Sequence, residues 1–112
     1  MNFDEFKVKK IVEEVRKEQL ISPKMPDESF INYAKEGMYN INEYVGCMLD
    51  YEKDLDARSL LKNYILYANH KRLAEFKELY TSDYVALQLK YNVDTSVWWW
   101  LIFSIWNFTY WG

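Results

Sequence analysis

The sequence predicts an all-α protein, and three observations carry that prediction. Only three Gly and two Pro interrupt 112 residues, too few turn residues for a strand-and-turn sandwich. Apolar residues recur at i, i+3, i+4 and i+7, the period of a helix with one buried face. Half of the residues are hydrophobic and 28% are charged, which supplies a core and a solvated surface within the length of one domain. The expected architecture is a small bundle of about four helices with a long central third helix and an aromatic C-terminal arm. The helical domain is expected over residues 1–94 and the arm over 95–112.

The first helix is predicted over Phe3–Leu20. Val8, Ile11, Val12 and Val15 make its apolar stripe, and Lys7, Lys9, Lys10, Glu13, Glu14, Arg16, Lys17 and Glu18 fill the other face. The run SPKMPDES then ends it, because Pro23 and Pro26 each push the preceding residue out of the helical region. Asp27 is placed to cap the next helix. That helix is expected over Glu28–Val45, with Phe30, Ala34, Gly37, Met38, Ile41 and Val45 on one stripe and Tyr33 and Tyr44 beside it. Gly46 stands where a C-terminal cap belongs.

The stretch GCMLDYEKD, residues 46–54, reads as a loop. Asp50, Glu52, Asp54 and Asp56 invite a calcium reading, but an EF-hand loop needs a central Gly and a terminal Glu that are absent. The spacing predicts a solvated loop ending in an Asp cap, with acids at a helix N-terminus. The third helix is predicted as one long element, Leu55–Leu79. Its first half is apolar nearly all round: Ala57, Leu60, Leu61, Tyr64, Ile65, Leu66, Tyr67 and Ala68. A helix of that kind is covered on every side, so it is central or faces both a core and a partner. The second half returns to an amphipathic pattern through Leu73, Phe76, Leu79 and Tyr80.

TSD at 81–83 marks a turn and a new cap. The run YVALQLKYNV fits a strand by alternation of Val85, Leu87, Leu89, Tyr91 and Val93, and a helix by the stripe Val85, Ala86, Leu89 and Val93. A short helix is favoured, since a lone strand has nothing to pair with.

Little in the chain suggests reaction chemistry. His70, the single histidine, sits mid-helix beside Lys71 and Arg72, the setting of an exposed helix residue or a core hydrogen-bond donor, without the oriented partners a base or ligand needs. Cys47 is the single cysteine, which rules out an internal disulfide or a cysteine-based zinc site and suits a small buried hydrophobe in a reducing compartment. No phosphate-loop, dinucleotide or zinc-protease motif occurs. The net charge of −3 is too mild for general nucleic-acid or anionic-membrane binding, and the basic residues are interleaved with acids. The N-terminal MNFDEFKVKK has no apolar stretch of the kind a secretion signal requires. No enzyme activity, metal or cofactor is expected. Ten Tyr, six Phe and five Trp exceed what such a core needs, and Tyr and Trp are enriched at interfaces. The reading is an interaction or assembly protein.

The run from Asp54 to Val93 also resembles the head–tail connector (adaptor) proteins of long-tailed bacteriophages. The resemblance lies in the opening Ala57, Arg58, Leu60, Leu61, the pair Asn63 and Tyr64 with Tyr67, then Leu73, Phe76 and Tyr80, and a closing Leu87, Gln88, Tyr91. The preceding PDESFINYAKEGMYNINEYVG is similar to their second helix. The likeness covers roughly Val8–Val93. It implies a helical virion protein without enzymatic activity that forms a ring of about twelve copies, a closed cyclic assembly. Such a ring binds below the portal, extends the DNA channel and carries the next neck or tail-completion protein. The implied location is the neck of the virion, after assembly in the host cytoplasm. On this reading Leu60, Leu61, Tyr64, Ile65 and Tyr67 serve helix packing and subunit contact. Lys7, Lys10 and Glu14, near one face of the first helix, are the choice for lining the channel, where DNA contacts are loose and sequence-independent.

The departure from the family pattern is SVWWWLIFSIWNFTYWG, Ser96–Gly112. It holds Trp98, Trp99, Trp100, Phe103, Trp106, Phe108, Tyr110 and Trp111 and no charge. As a helix it spans about 25 Å, short of the roughly 30 Å of a bilayer core. Its Trp and Tyr occupy the whole length rather than the two interfaces, and no Lys or Arg flanks it. A membrane-associated protein anchored by this segment is therefore the alternative, and no membrane is expected. The preferred reading is an arm buried between subunits, docked on the portal or on the next connector copy, with the three consecutive Trp as anchors.

Overall fold

The computed structural model describes residues 5–91. Within them the chain forms five helices: α1 (Glu5–Glu18), α2 (Asp27–Val45), α3 (Leu55–Asn69), α4 (Leu73–Leu79) and α5 (Thr81–Tyr91). The all-α expectation holds for these residues. The aromatic arm, 95–112, lies outside them.

The stripes of α1 and α2 are buried as their spacing predicts. Val8, Ile11, Val12 and Val15 of α1 meet Phe30, Ala34, Gly37, Met38, Ile41 and Val45 of α2. Ala57, Leu60, Leu61, Tyr64, Ile65 and Ala68 of α3 complete the core with Phe76, Tyr84 and Leu87. The helices α2 and α3 share the most extensive contact, and α1, α4 and α5 all pack against one or both. At their crossing, a Cβ on Gly37 would lie 2.7 Å from Tyr64 Cδ1 and 2.8 Å from Leu61 Cδ1. Glycine is there because the two helices approach too closely for any side chain.

Three expectations are corrected. The long third helix is two helices, α3 and α4, separated at His70–Arg72. Lys71 takes a left-handed φ of 58°, its N–H bonds Ala68 O at 3.1 Å, and the Arg72 N–H bonds Tyr67 O at 2.8 Å. This is the Schellman closure that usually employs glycine. The break has a packing cause: it turns α4 back so that Phe76 is fully buried against Tyr64 and Tyr67. A readable sign was the apolar register, which places Lys71, Arg72 and Glu75 where a continued α3 stripe would fall.

The second correction concerns α5. The segment is helical, but it begins at Thr81 and buries Tyr84 and Leu87. The stripe of Val85, Ala86 and Leu89 faces outward, with Val85 37% and Leu89 45% exposed. Thr81 does not cap this helix; its hydroxyl donates to Lys77 O in the turn before. The third correction is Arg16, expected on the solvated face of α1. Its side chain is 13% exposed. The guanidinium donates to Asp27 Oδ1 at 2.7 Å, Ser22 O at 2.8 Å and Met25 O at 2.6 Å, and lies 5.3 Å from the centre of the Phe30 ring. Asp27 is accordingly the first residue of α2 and the partner of Arg16, while Pro26 occupies the cap position without a side-chain bond.

The α2–α3 connection is built on two polar side chains. Gly46 ends α2 at φ 89°, as expected of it. Asn42, buried within α2, accepts from Leu49 N–H at 3.2 Å and from the Tyr51 hydroxyl at 2.8 Å. Asp54 caps α3 through Oδ1, which accepts from Asp56 N–H and Ala57 N–H. Its other oxygen accepts from Lys90 Nζ at 3.1 Å and from the Tyr91 hydroxyl. One carboxylate thus joins the start of α3 to the end of α5. Burial pushes the Asp54 carboxyl up, but the Tyr91 hydroxyl, the Ala57 N–H and Lys90 outweigh it and hold the group below the usual carboxylate range.

Three outcomes follow for stability. Gly37→Ala forces Tyr64 or Leu61 to move and lowers stability by about 1–3 kcal/mol, read as a fall in the chemical denaturation midpoint at unchanged slope. Lys71→Gly removes the left-handed penalty and raises stability by about 0.5–1 kcal/mol after the entropy of the added glycine is subtracted, read as a higher Tm. The depressed Asp54 carboxyl contributes stability that is present above the unfolded value, about 3.9, and is lost as pH falls through the lower folded value. Asp54→Asn therefore melts earlier than the parent at pH 7, and thermal scans find the gap closing as pH falls toward 2.

Candidate functional site

An aromatic cluster lies where α2 faces α4 and α5. A cleft of about 510 Å³ opens there, lined by Asn40, Glu43, Tyr44, Lys77, Thr81 and Tyr84. Tyr44 and Tyr84 form its wall, ring centres 5.0 Å apart and edge to face. Behind Tyr84 the aromatic contacts continue without a gap. Phe76 lies 6.0 Å from Tyr84 and stacks on Tyr80 at 4.8 Å, while Tyr67 meets both Phe76 and Tyr80. Tyr64 closes the series against Phe76 at 5.4 Å. Edge-to-face and stacked pairs of this kind contribute about 0.5–1.5 kcal/mol each beyond the area they bury.

One polar tip of this cluster is held by a side-chain hydrogen bond. Asn40 Nδ2 donates to the Tyr64 hydroxyl at 2.8 Å. Burial pushes the Tyr84 hydroxyl up to about 12, with neighbouring Tyr64 and Tyr44 adding to the effect. Burial does the same to Tyr64, also to about 12, against the opposing Asn40 hydrogen bond. Both hydroxyls are therefore protonated at any physiological pH, and the wall of the cleft is neutral. Its charges stand at Glu43 and Lys77, both exposed. Such a cleft can hold an apolar or aromatic segment whose own N–H and O–H groups need acceptors.

Other positions singled out in the sequence are dispersed. Leu60, Leu61, Tyr64 and Ile65 lie in the core, and Tyr67 packs partly buried at its edge. His70 is the exposed residue that ends α3, its backbone N–H bonded to Leu66 O. Cys47 is half-buried in the loop after α2. Among the described residues no three His, Cys, Asp or Glu side chains come together as a metal site, and no helix is long and apolar enough to cross a membrane. The segment from Trp98 to Trp111, on which the arm and anchor readings both rest, lies outside the described residues.

The proposed channel face of α1 is engaged within the chain. Glu14 is gripped by Arg58, whose Nε donates at 2.9 Å and whose Nη2 pairs with the other oxygen. Lys62 joins at 3.1 Å and also reaches Glu18 at 2.8 Å. Burial pushes the Glu14 carboxyl up, but the bonds from Arg58 and Lys62 prevail and hold it below the ordinary range. Lys7 and Lys10 both lie about 4 Å from Glu52 at the end of the α2–α3 loop, at 3.9 and 3.8 Å, a loose pairing of exposed groups that contributes little. The cross-helix bond from α3 to Glu14 was the part that sequence reasoning missed. Its only sign is the Arg58–Lys62 spacing of four, matched by Glu14 and Glu18 on α1.

Comparison with family models, with curated proteins and with solved structures gives no match to this chain.

Proposed function

We propose that this protein is a structural assembly protein, a ring-forming head–tail connector that sits below a portal, with its aromatic C-terminal segment docked on the portal or on the next connector copy. One observation carries the reading. The described helices close a core from Val8 to Leu87, whereas all five Trp of the chain fall in Ser96–Gly112. Eight aromatics without a charge are a larger apolar surface than a chain leaves in water, since exposed patches of that size mark interaction sites. The similarity of residues 54–93 to connector proteins supplies the kind of assembly. In it the repeated contact is heterologous, one patch of each copy meeting a different patch of the next, and closes into a ring.

The role is mechanical rather than catalytic. The ring would continue the DNA channel and offer a platform to the next neck protein. The exposed ammonium groups of Lys7 and Lys10 are suited to loose contact with passing phosphates. Glu14 belongs to that face by position but supports α3 through Arg58, so its part would be structural.

Deleting residues 96–112 tests the reading. The truncated chain is expected to keep its helical circular dichroism and its melting temperature, and to fail to join portal-bearing capsids. Cryo-electron microscopy of particles containing the full chain is expected to find a ring beneath the portal. A truncated chain that unfolds makes the arm part of the monomer's own core, and particles without the ring end the connector reading. Partitioning of the full chain with lipid, released by detergent alone, would favour a membrane anchor instead.

A further inference from the structure

We infer that the cleft between α2, α4 and α5 receives the aromatic segment, Trp98–Trp111, of a neighbouring copy. The inference rests on the assembly reading above and deepens it by naming where one copy grips the next. The docking surface is the Tyr44–Tyr84 wall and its rim, and the occupant is a second copy of this chain.

Four observations support that occupant. The first is chemical fit. The cleft wall is two tyrosine rings backed by Phe76 and Tyr80, and the segment offers rings at Trp98, Trp99, Trp100, Phe103 and Trp106. Indole N–H groups require acceptors when buried, and the rim supplies the Glu43 carboxylate and the Asn40 amide oxygen. The second is charge. The segment is uncharged, so it brings no ion into the site to be desolvated, and Glu43 and Lys77 remain at the rim. The third is size. The cleft encloses about 510 Å³, room for a few of these rings, each of which can bury about 150–250 Å². The fourth is chain length. Twenty-one residues follow Tyr91, an extended reach of about 70 Å, while Tyr91 itself is tied to Asp54. The cleft lies at the opposite end of α5, about 15 Å away along the helix axis. A segment leaving that fixed point reaches well beyond its own α5, and the assembly reading assigns it to another copy rather than to its own cleft. An arm given to one neighbour and a cleft taken by the other is the head-to-tail contact that generates rings.

Disulfide capture between full-length chains tests this. One chain carries Cys47→Ser with Lys77→Cys on the cleft rim. The other carries Cys47→Ser with Ser96→Cys, Ser104→Cys or Thr109→Cys in the segment. With the rim chain enlarged by a mass tag, oxidation of the mixture is expected to give a band at the summed mass of the two different chains, distinct from either symmetric dimer, for at least one arm position. That band should be lost when the rim chain also carries Tyr44→Arg, and absent when Lys24→Cys replaces the rim cysteine. All Trp lie in the arm, so their fluorescence is an independent reading: emission should move to the red on dilution as arms leave their neighbours. Equal capture by Lys24→Cys overturns the inference. So does a chain with both cysteines that closes only on itself with emission independent of concentration, because the arm then lies on its own cleft. If sedimentation finds multimers but no arm position is captured, the cleft assignment fails and the assembly reading stands. If neither multimers nor capture occur, the cleft assignment fails, and the assembly reading is decided separately by the presence or absence of the ring in particles.

Discussion

The close approach of α2 and α3 at Gly37 is the constraint on which the other contacts depend. With no Cβ at that point, Leu61 and Tyr64 lie directly on the backbone of α2. The position of the Tyr64 ring then sets two further contacts. Its hydroxyl accepts from Asn40 one turn along α2, and its edge meets Phe76 on α4. From Phe76 the aromatic contacts branch to Tyr80 and, through Tyr84, to Tyr44. The cleft proposed as a docking site is thus the outer end of a series of rings that begins at a glycine in the core. Because interiors are close-packed, a displacement at one end is transmitted rather than absorbed.

Polar side chains hold the ends of the helices where apolar packing stops. Arg16 fastens the turn between α1 and α2, Asn42 organises the loop after α2, and Asp54 joins that loop to α3 and α5. Each satisfies groups that a helix end or a buried turn would otherwise leave without partners. The Glu14–Arg58 pair and its neighbours Lys62 and Glu18 do similar work between α1 and α3. These bonds orient elements that the hydrophobic effect, being non-directional, only gathers together.

The proposed assembly role would benefit from that division. A rigid core with fixed ends presents a shaped surface at little further entropy cost when a partner arrives. The proposed cleft has this character: its wall is neutral and aromatic, and the hydroxyl of Tyr84 keeps its proton far above physiological pH because it is buried. A segment rich in Trp carries large contact area with few rotatable bonds, so ordering it in such a site costs less than ordering flexible side chains.

The sequence by itself determined the helical class, the buried faces of α1 and α2, the stop at Gly46 and the cap at Asp54. Each of these is local: a 3.6-residue period, a left-handed position that suits glycine, or an acid one residue before a helix. It also determined that the aromatic excess is concentrated in one segment, which is a matter of composition. Tertiary structure decided the break between α3 and α4, for which the charged Lys71, Arg72 and Glu75 on the continued stripe were the one local sign, and it alone decided the face that α5 buries and the inward turn of Arg16. The stripe through Val85, Ala86 and Leu89 was as good a local choice as Tyr84 and Leu87, and only the position of Phe76 and Tyr44 favours the second. Lys71 adopts a left-handed conformation that nothing in its neighbourhood requests, because burying Phe76 outweighs the cost of about 1–2 kcal/mol. Propensity and period are summed over neighbours in the chain, whereas these three outcomes depend on residues brought close only by folding.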